Sequence, residues 1–516
     1  MRPHPLRVRP GRRPGSLLVL ATGFAVAAAL LPASSYAAGP EPGSPSYVAR
    51  DAQNIQDAYG RIIGPGGQLQ NPAYLAALTL AGTADQTEQL MEQAASPTRI
   101  GVTPGRVVPG WNVGNPLRSG WNGTRGLSER VSFTNRYGAL LHGTVYRPRP
   151  GARDPYTGQV LRGPFPGAVI TTGSVQGSEG MYRWLAQDLA ERGYVVLTYD
   201  VQGQGGGETL PHEPAPGSQS NALPFCNPFA TPQDGEEYGC PGAPAQQLSN
   251  FVVGTQDALS FFTSTPSRHY ANPRSEGAKV SAFNPYWQLF DRSPDKSPAT
   301  PGRTSRIAII GHSMGAAAVS KVQGIDRRVA AVVALDKLAG PSSTGPLDGS
   351  GNRPVVPALA LQSEYGFTVS PYLTSGGSSI NPEPSPGGPD PKRERATGYD
   401  AWRRADVDSM LVVPRASTHL EYTDIPLVLP ASRYGQDVSS HYVQAWLDRY
   451  LKHQRNDSAL TGRTFRYLEP VGNGVWRPIT LQRDSLLSFY YCSAYGFRSG
   501  SRVLSDDDLG HVGGCS

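Results

Sequence analysis

The sequence predicts an α/β fold with a mostly parallel central sheet and helices on both of its faces. Two apolar runs typical of buried strands, Gly167–Thr172 and Tyr194–Val201, flank a helical pattern at Met181–Arg192. A third apolar run, Ile307–Ile310, precedes the small-residue stretch Ala316–Val319, which is typical of a helix packed closely on a sheet. Strands that alternate with helices in this way form parallel β-α-β units.

The N-terminal segment, residues 1–37, has the three parts of a secretory signal. Residues 1–15 contain five arginines and no acidic residue, Ser16–Leu31 is apolar, and Ser35–Ala37 offers a small-residue cleavage site. The apolar run is too short for a full membrane span, and a proline follows it. We therefore expect cleavage after Ala37 and a secreted, extracellular protein without a stable membrane anchor. The pair at 12–13 loosely resembles a twin-arginine signal, so the Sec and twin-arginine routes both remain open.

Charge and cysteine usage limit the ligands that the chain is expected to bind. Loss of residues 1–37 removes five arginines and no acid, which lowers the formal charge from +6 to +1 and argues against a nucleic-acid partner. The cysteines form two sequence-local pairs, Cys226 with Cys240 and Cys492 with Cys515, which in an exported chain favours disulfides over a metal site. Four cysteines allow three pairings, of which the local one closes the shortest loops. The sequence predicts neither a metal nor a cofactor.

After the signal, the pattern predicts one large domain with extensions at both ends. Helical periodicity in residues 47–95 places an accessory extension at 38–126. Alternating residues at 129–146 predict a hairpin at the start of the main domain, which spans 127–455.

Two further segments are expected to project from this domain. The polar, Pro/Gly-rich stretch 202–244 is too long for an ordinary connection. It predicts a disulfide-stapled, lid-like insertion, although a solvent-facing segment without a role fits equally well. The C-terminal extension, 456–516, alternates around 465–468 and 486–491, which predicts a small β-rich appendage.

The motif Gly311-His-Ser-Met-Gly315, directly behind the third apolar run, has the spacing of a nucleophile elbow. Such a tight strand-to-helix turn lifts a serine hydroxyl clear of its neighbours, so that a base can reach it. Glycine at 311 and 315 leaves out the side chains that would collide in the turn. The motif therefore predicts Ser313 as a nucleophile.

Several stretches of the main domain resemble the α/β-hydrolase superfamily. They are 168–179, the helix around 184–185, 193–200 and the elbow at 311–315. Within the superfamily they are similar to the secreted bacterial cutinase and polyester-hydrolase branch, which is related to the dienelactone hydrolases. The resemblance implies the α/β-hydrolase fold and a serine hydrolase that needs no cofactor.

The resemblance also implies an oxyanion hole made of two backbone N–H groups. One belongs to the residue after the nucleophile, Met314, and the other to Ser174 or Val175 in the glycine-rich loop Gly173–Gly180. Two N–H groups aimed at the developing oxyanion stabilise a tetrahedral intermediate by about 3 kcal/mol each.

In this superfamily the base follows the nucleophile in the chain, which leaves His419, His441, His453 and His511 as candidates. Only His419 lies in a loop, Arg415–His419, directly behind an apolar strand. His441 and His453 lie on the helix predicted at 439–453 and are expected to be structural, and His511 belongs to a Gly/Asp-rich tail. His312 is expected to point away from its neighbour Ser313.

Two carboxylates compete for the acid that orients the base. Asp336 follows the sixth predicted strand, Ala331–Leu335, and resembles the displaced acid of pancreatic-type lipases. Glu364 lies in the seventh predicted strand, Pro357–Gly366, two residues before the usual position of the acid in the superfamily. We favour Asp336 and keep Glu364 as the alternative.

Together these features predict a secreted serine hydrolase that cleaves carboxylic esters through an acyl-enzyme intermediate. The expected substrate is a small-molecule, lipid or polyester ester. An acyltransferase, or an amidase or peptidase, would use the same three residues, and a non-catalytic binding protein on this scaffold is the remaining alternative.

Overall fold

The computed structural model describes residues 39–64, 68–99, 101, 103–174, 177–209, 248–297, 301–341, 352–377, 383–424 and 433–516. The predicted signal at 1–37, Cys226, Cys240 and the part of the expected insertion after residue 209 lie outside these residues. The first residues of that insertion are buried against the sheet, where the Glu208 N–H donates to the Leu140 carbonyl at 2.8 Å.

The helices are α1 (Pro45–Ile63), α2 (Pro72–Ala95), α3 (Pro104–Val107), α4 (Arg183–Glu191), α5 (Leu248–Phe262), α6 (Met314–Ile325), α7 (Tyr372–Ser375), α8 (Arg393–Thr397), α9 (Tyr399–Arg404), α10 (Arg433–Leu451) and α11 (Asp457–Thr461). Short 3₁₀ helices cover Gln68–Gln70, Pro116–Arg118, Glu179–Tyr182, His419–Tyr422 and Arg483–Ser485. The strands are β1 (Gly126–Thr134), β2 (Leu140–Pro148), β3 (Gly167–Thr171), β4 (Val195–Tyr199), β5 (Ile307–His312), β6 (Val329–Leu335), β7 (Ala358–Leu361), β8 (Ser409–Val412), β9 (Thr464–Gly472), β10 (Val475–Gln482), β11 (Ala494–Ser499) and β12 (Arg502–Asp506).

Local sequence explains where the two N-terminal helices begin. The Ser44 hydroxyl accepts from the Tyr47 N–H at the start of α1, and the Asn71 side chain accepts from the Ala73 N–H at the start of α2. A proline occupies the first position of each helix, where its missing N–H costs no intrahelical hydrogen bond. The helical character predicted for 47–95 is confirmed.

Ten of the described strands form one sheet in the order β1-β2-β4-β3-β5-β6-β7-β8-β11-β12. The five pairs from β4 to β8 are parallel, and the pairs at the two ends are antiparallel. The predicted α/β class with a mostly parallel sheet is therefore confirmed. Because parallel strands end at the same edge, the segments after β3, β5, β6 and β8 converge there.

Successive residues of the central strands face opposite sides of the sheet, and each side is covered by helices. Ile307 and Ile309 pack with residues of α5 and α6 in one apolar core. Ala308 and Ile310 pack with residues of α4 and α10 in the other. The strands are buried on both faces, which explains why they appear in the sequence as short continuous apolar runs rather than alternating ones.

The C-terminal region, in which the sequence predicted a small β-rich appendage, contains the four strands β9 to β12. Strands β9 and β10 form their own hairpin, but β11 pairs with β8 and extends the central sheet. The strand predicted at 486–491 is wrong, since in this segment only Leu487 forms an isolated bridge, to Pro414. Its alternating pattern instead reflects buried residues that bind the main domain.

The predicted pairing of Cys492 with Cys515 is confirmed by a disulfide that closes a loop 23 positions long. It fastens the end of the chain next to β11. No helix among the described residues combines the length and the apolarity needed to cross a membrane.

Candidate active site

Ser313 lies in a strained turn between β5 and α6. Its backbone has φ 55° and ψ −120°, a conformation that a non-glycine residue rarely adopts. A Cβ on Gly311 would overlap the Gly315 carbonyl, and a Cβ on Gly315 would overlap the carbonyl of Thr172 in the neighbouring strand segment. The two glycines of the motif therefore make the turn possible, as the sequence predicted, and Ser313 is left half-buried at the sheet edge.

The structure brings Ser313, His419 and Asp336 together in one hydrogen-bonded chain. The His419 Nε2 is 2.9 Å from the Ser313 Oγ, and its Nδ1 is 2.7 Å from the Asp336 Oδ2. A carboxylate can only accept, so the proton of neutral His419 lies on Nδ1 and its Nε2 is free to accept the proton of the serine hydroxyl. This is the arrangement in which an imidazole acts as a general base toward a serine.

Asp336 remains ionised although it is buried at the end of β6. Burial alone would raise the pKa of Asp336, but the hydrogen bond and charge of His419, with Lys337 and Ser363, hold that pKa well below its usual range. The Ser363 hydroxyl donates to the Asp336 Oδ2 at 2.6 Å, and the Ser363 N–H donates to Oδ1 at 3.2 Å. Asp336 is thus kept as a fixed negative charge behind the imidazole.

Glu364, the alternative acid, does not reach His419. Its Oε2 accepts from the Asn54 side chain and from the Ala416 N–H, both at 2.6 Å. Its Oε1 accepts from the Ser488 hydroxyl at 2.6 Å and from the Phe489 N–H at 3.1 Å. These four donors come from α1, the loop before His419 and the C-terminal segment, so Glu364 joins three parts of the chain.

The structure describes two of the three candidate oxyanion donors. Met314 is the first residue of α6, so its N–H has no carbonyl of its own helix to bind. Ser174 lies half-buried in the loop after β3. Val175 lies outside the described residues.

The other histidines make contacts away from Ser313. The Nε2 of His441 is 2.7 Å from the Ala459 carbonyl, its ring stacks on Phe465, and burial lowers its pKa to about 4. The His453 Nε2 lies 3.2 Å from the Asp295 Oδ1. His511 follows β12 near the C-terminus, where its N–H donates to the Asp508 carbonyl.

The loop Arg415–His419, which carries the candidate base, is braced by the N-terminal helix α1. Arg61 of α1 donates to the Arg415 carbonyl at 2.8 Å, and the Arg415 guanidinium pairs with Asp57 of the same helix at 2.8 Å. From the sequence, α1 was predicted only as part of an accessory extension, because helical periodicity does not indicate a contact with a residue more than 350 positions away.

Sequence reasoning missed His312 and Tyr182. The His312 ring lies 4.8 Å from the His419 ring. The Tyr182 hydroxyl lies 2.8 Å from the His312 Nδ1. The histidine inside the elbow motif was the one available signal, and it specifies no partner.

An apolar side chain lines the outer side of the base. The ring of Phe367 lies 4.6 Å from the His419 ring and is 39% exposed. Phe367 beside His419 and the half-buried Met314, which follows Ser313 in the chain, are two apolar residues near the candidate site that we call the apolar rim.

No family model matches the chain. A stretch of 126 residues, 23% of this chain, is 34% identical to an uncharacterized protein of Pseudomonas aeruginosa. The match spans 32% of that curated relative, about a third of its length.

Solved structures with some similarity include two hydrolases. A ferulic acid esterase from Streptomyces cinnamoneus has a TM-score of 0.34 and 17% identity, over 63% of this chain and 89% of that one. The AtxE2 isopeptidase, solved as a variant with Astexin3-dC4 bound, has a TM-score of 0.33 and 13% identity, over 65% of this chain and 42% of that one. Likenesses this low establish no function for this chain, which must be inferred from the geometry around Ser313.

Proposed function

We propose that this chain is a serine hydrolase that cleaves carboxylic esters through an acyl-enzyme intermediate. The observation that carries the proposal is the continuous hydrogen-bonded chain from Ser313 through His419 to Asp336. The order of these residues in the sequence, serine then acid then histidine, is the order used by α/β hydrolases. The elbow between β5 and α6 gives the serine the exposure that a nucleophile needs.

The reaction follows from these contacts. The Ser313 Oγ attacks the ester carbonyl carbon while its proton passes to the His419 Nε2, and the tetrahedral intermediate collapses as His419 returns that proton to the leaving alcohol. His419 then takes a proton from water, the hydroxide attacks the acyl carbon, and the carboxylic acid leaves as Ser313 regains its proton. Asp336 holds the imidazole in the required tautomer and stabilises its charged form in both halves.

The oxyanion of each intermediate needs donors close to Ser313. The N–H of Met314 and one N–H from the loop at Ser174 or Val175 are proposed for this role. The apolar rim formed by Phe367 and Met314 supports a substrate whose acyl group is hydrophobic, as in a lipid, aromatic or polyester ester.

We propose in addition that the protein is exported after cleavage behind Ala37. The disulfide between Cys492 and Cys515 supports an oxidising compartment, because such bonds are rare in the cytosol.

The test uses the chain from residue 38 to 516 and a series of p-nitrophenyl esters from acetate to palmitate. Wild type is compared with Ser313→Ala and with Ser267→Ala, in which an exposed serine far from the elbow is replaced. A fluorophosphonate probe followed by peptide mass spectrometry identifies the residue that is modified. We expect Ser313→Ala to lower kcat by about 10⁴-fold or more and to abolish labelling, and Ser267→Ala to match wild type.

Two additional substrates separate ester hydrolysis from related chemistry. An anilide matched to the best ester reveals amidase activity, and added butanol reveals acyl transfer as a butyl ester product. Wild type that is inert toward every ester and toward the probe would overturn the proposal. Faster cleavage of the anilide, or butyl ester as the main product, would replace ester hydrolysis by the amidase or transferase function.

A further inference from the structure

His312 lies fully buried beneath the three proposed catalytic residues and contacts two of the loops around them. Its Nε2 is 2.9 Å from the backbone carbonyl of His419. Its Nδ1 is 2.8 Å from the Tyr182 hydroxyl, and that hydroxyl is 3.0 Å from the N–H of Gly173. Both side chains are shielded from solvent, with 2% exposure for His312 and none for Tyr182.

Every proton in this network has only one possible place when His312 is neutral. The His419 carbonyl can only accept, so the His312 Nε2 carries a proton and its Nδ1 must accept. The Tyr182 hydroxyl therefore donates to Nδ1, and its oxygen accepts from the Gly173 N–H. Burial, followed by the charge of His419, lowers the pKa of His312 to about 3, so the neutral form prevails at neutral pH.

The network fixes the loop that leads to the proposed oxyanion donors. Gly173 directly precedes Ser174, and a Cβ at position 173 would come within 2.7 Å of the His312 Nδ1. Contact between the loop backbone and the His312 ring is therefore possible only with glycine at this position. The Tyr182 hydroxyl holds the same peptide through its N–H.

The second part of the network, the hydrogen bond from the His312 Nε2 to the His419 carbonyl, fixes the base. We call this bond the base arm, and the bonds of the Tyr182 hydroxyl the oxyanion arm. The His419 N–H donates to the Gly366 carbonyl at 2.9 Å, and the His419 carbonyl accepts from His312, so the backbone on both sides of this residue is hydrogen-bonded. With the backbone fixed, the imidazole needs only its contacts to Asp336 and Ser313 to be held in the reactive orientation.

We propose that His312 and Tyr182 are a pair of positioning residues that set the base and the oxyanion loop relative to the nucleophile. The inference rests on the proposed hydrolase function. Neither side chain touches the reacting atoms. Their contribution is to hold two loops, which follow β3 and β8, against the end of β5 that carries the elbow.

The test separates the two arms with two substitutions at one position. Asparagine can place an oxygen near the former Nδ1 but leaves the His419 carbonyl without a donor, whereas glutamine can place an N–H near the former Nε2. We expect His312→Asn to lower kcat for the best p-nitrophenyl ester by about 10- to 100-fold with KM changed by less than about twofold. For His312→Gln we expect a kcat loss of about threefold to tenfold.

Tyr182→Phe tests the oxyanion arm and keeps the ring contacts. It removes both hydrogen bonds of the hydroxyl, and we expect kcat to fall by about 10-fold. Because His312→Gln removes one of the same two bonds, the double variant is expected to be less than about threefold slower than Tyr182→Phe alone.

Matched controls are His441→Asn, which removes another histidine bonded to a carbonyl, and Tyr270→Phe, whose hydroxyl donates to the Thr134 carbonyl at 2.8 Å. Both are expected to keep kcat within about twofold of wild type. Circular dichroism and thermal melting of every variant show whether it is folded.

The inference is overturned if folded His312→Asn and Tyr182→Phe both keep the kcat of wild type, or if His441→Asn loses as much kcat as His312→Asn. Should His312→Asn fail to fold, Tyr182→Phe alone decides, since it retains the aromatic packing. Failure of the hydrolase proposal is recognised separately, because wild type itself would then be inert toward the esters and the fluorophosphonate probe.

Discussion

Asp336 and Glu364 are two buried carboxylates that follow adjacent parallel strands, β6 and β7, yet their surroundings give them opposite properties. Asp336 faces the imidazole of His419 and lies near the Lys337 charge, and its pKa is held low against the effect of burial. Glu364 accepts only from neutral groups, and burial outweighs them and raises its pKa.

The difference shows what qualifies a buried carboxylate to support a base. An orienting acid must stay charged and must present an oxygen to the imidazole, as Asp336 does with Oδ2, which also accepts from the Ser363 hydroxyl. Glu364 uses both oxygens to connect backbone and side chains of distant segments. Glu364 lies near the end of a sheet strand, two residues before the usual position of the acid in the superfamily that the chain resembles, and its contacts link distant segments of the chain.

The largest expected effect separates the two acids by activity. Asp336→Asn leaves His419 without the carboxylate that sets its tautomer, so we expect kcat toward p-nitrophenyl esters to fall by about 10³- to 10⁴-fold. Glu364→Gln should keep kcat within about fivefold of wild type. Equal losses in the two variants, measured at saturating substrate, would contradict the division of roles.

Stability is expected to separate them in the opposite direction. In Glu364→Gln the amide nitrogen faces donors that formerly had an acceptor, so we expect the free energy of unfolding to fall by about 2 to 4 kcal/mol. Asn54→Ala, which removes one of these donors, should cost about 1 kcal/mol. Urea denaturation followed by tryptophan fluorescence measures both. A Glu364→Gln protein as stable as wild type would contradict the role of Glu364 in joining these segments.

The pH dependence of stability should have opposite signs for the two acids. The lowered pKa of Asp336 gives stability that is present above pH 3.8 and is lost as the pH falls through the folded-state value. The raised pKa of Glu364 gives stability that is present below pH 4.5 and is lost as the pH rises toward the folded-state value.

Urea midpoints between pH 3 and pH 6 test this difference. From pH 3 to 4, wild type should gain more stability than Asp336→Asn. Above pH 4.5, it should gain less than Glu364→Gln. Parallel curves for wild type and either variant would show that the corresponding carboxylate has the same pKa in the folded and unfolded chain.

The smallest effect concerns the cation next to Asp336. The Lys337 Nζ pairs with the Glu394 Oε2 at 2.9 Å. Its charge also helps to lower the pKa of Asp336 and so to keep that carboxylate ionised. We expect Lys337→Gln to lower kcat by about twofold to fivefold and to leave KM unchanged. Lys452→Gln is the matched control, because Lys452 follows the end of α10, near the start of β5, where its Nζ pairs with an Asp448 carboxylate oxygen at 2.7 Å, and it should not affect kcat. A control variant that lost as much activity would show that the effect is not electrostatic.

Local patterns predicted the central sheet well, because its strands are short apolar runs separated by helices and each run needs only neighbouring residues to be recognised. The C-terminal strands were harder. The pairing of β11 with β8 joins segments more than 80 positions apart, and β12, the strand at the edge of the sheet, is largely exposed and has a weak apolar pattern. The segment at 486–491 alternates like a strand, but its polar atoms bind Glu364.

At the site, the elbow glycines and the loop position pointed to Ser313 and His419, and the end of β6 pointed to Asp336. Each is recognisable because its role depends on where a strand ends. His312 and Tyr182 could not be assigned in this way, since their roles depend on a contact across 130 positions that no local spacing encodes. Glu364, kept as the alternative acid from its place near the end of a strand, bonds to other partners than His419.

The hydrogen bond between Asp51 of α1 and the Tyr490 hydroxyl joins residues 439 positions apart. Asp51 is therefore synthesised near the beginning of translation and Tyr490 near its end. Because Tyr490 holds α1 and α1 braces the Arg415–His419 loop, the support of this loop draws on both ends of the chain, and its contacts have a high sequence separation. A chain truncated before Tyr490 would still carry all three proposed catalytic residues and α1, but it would lack the Tyr490 hydroxyl that holds α1 through Asp51.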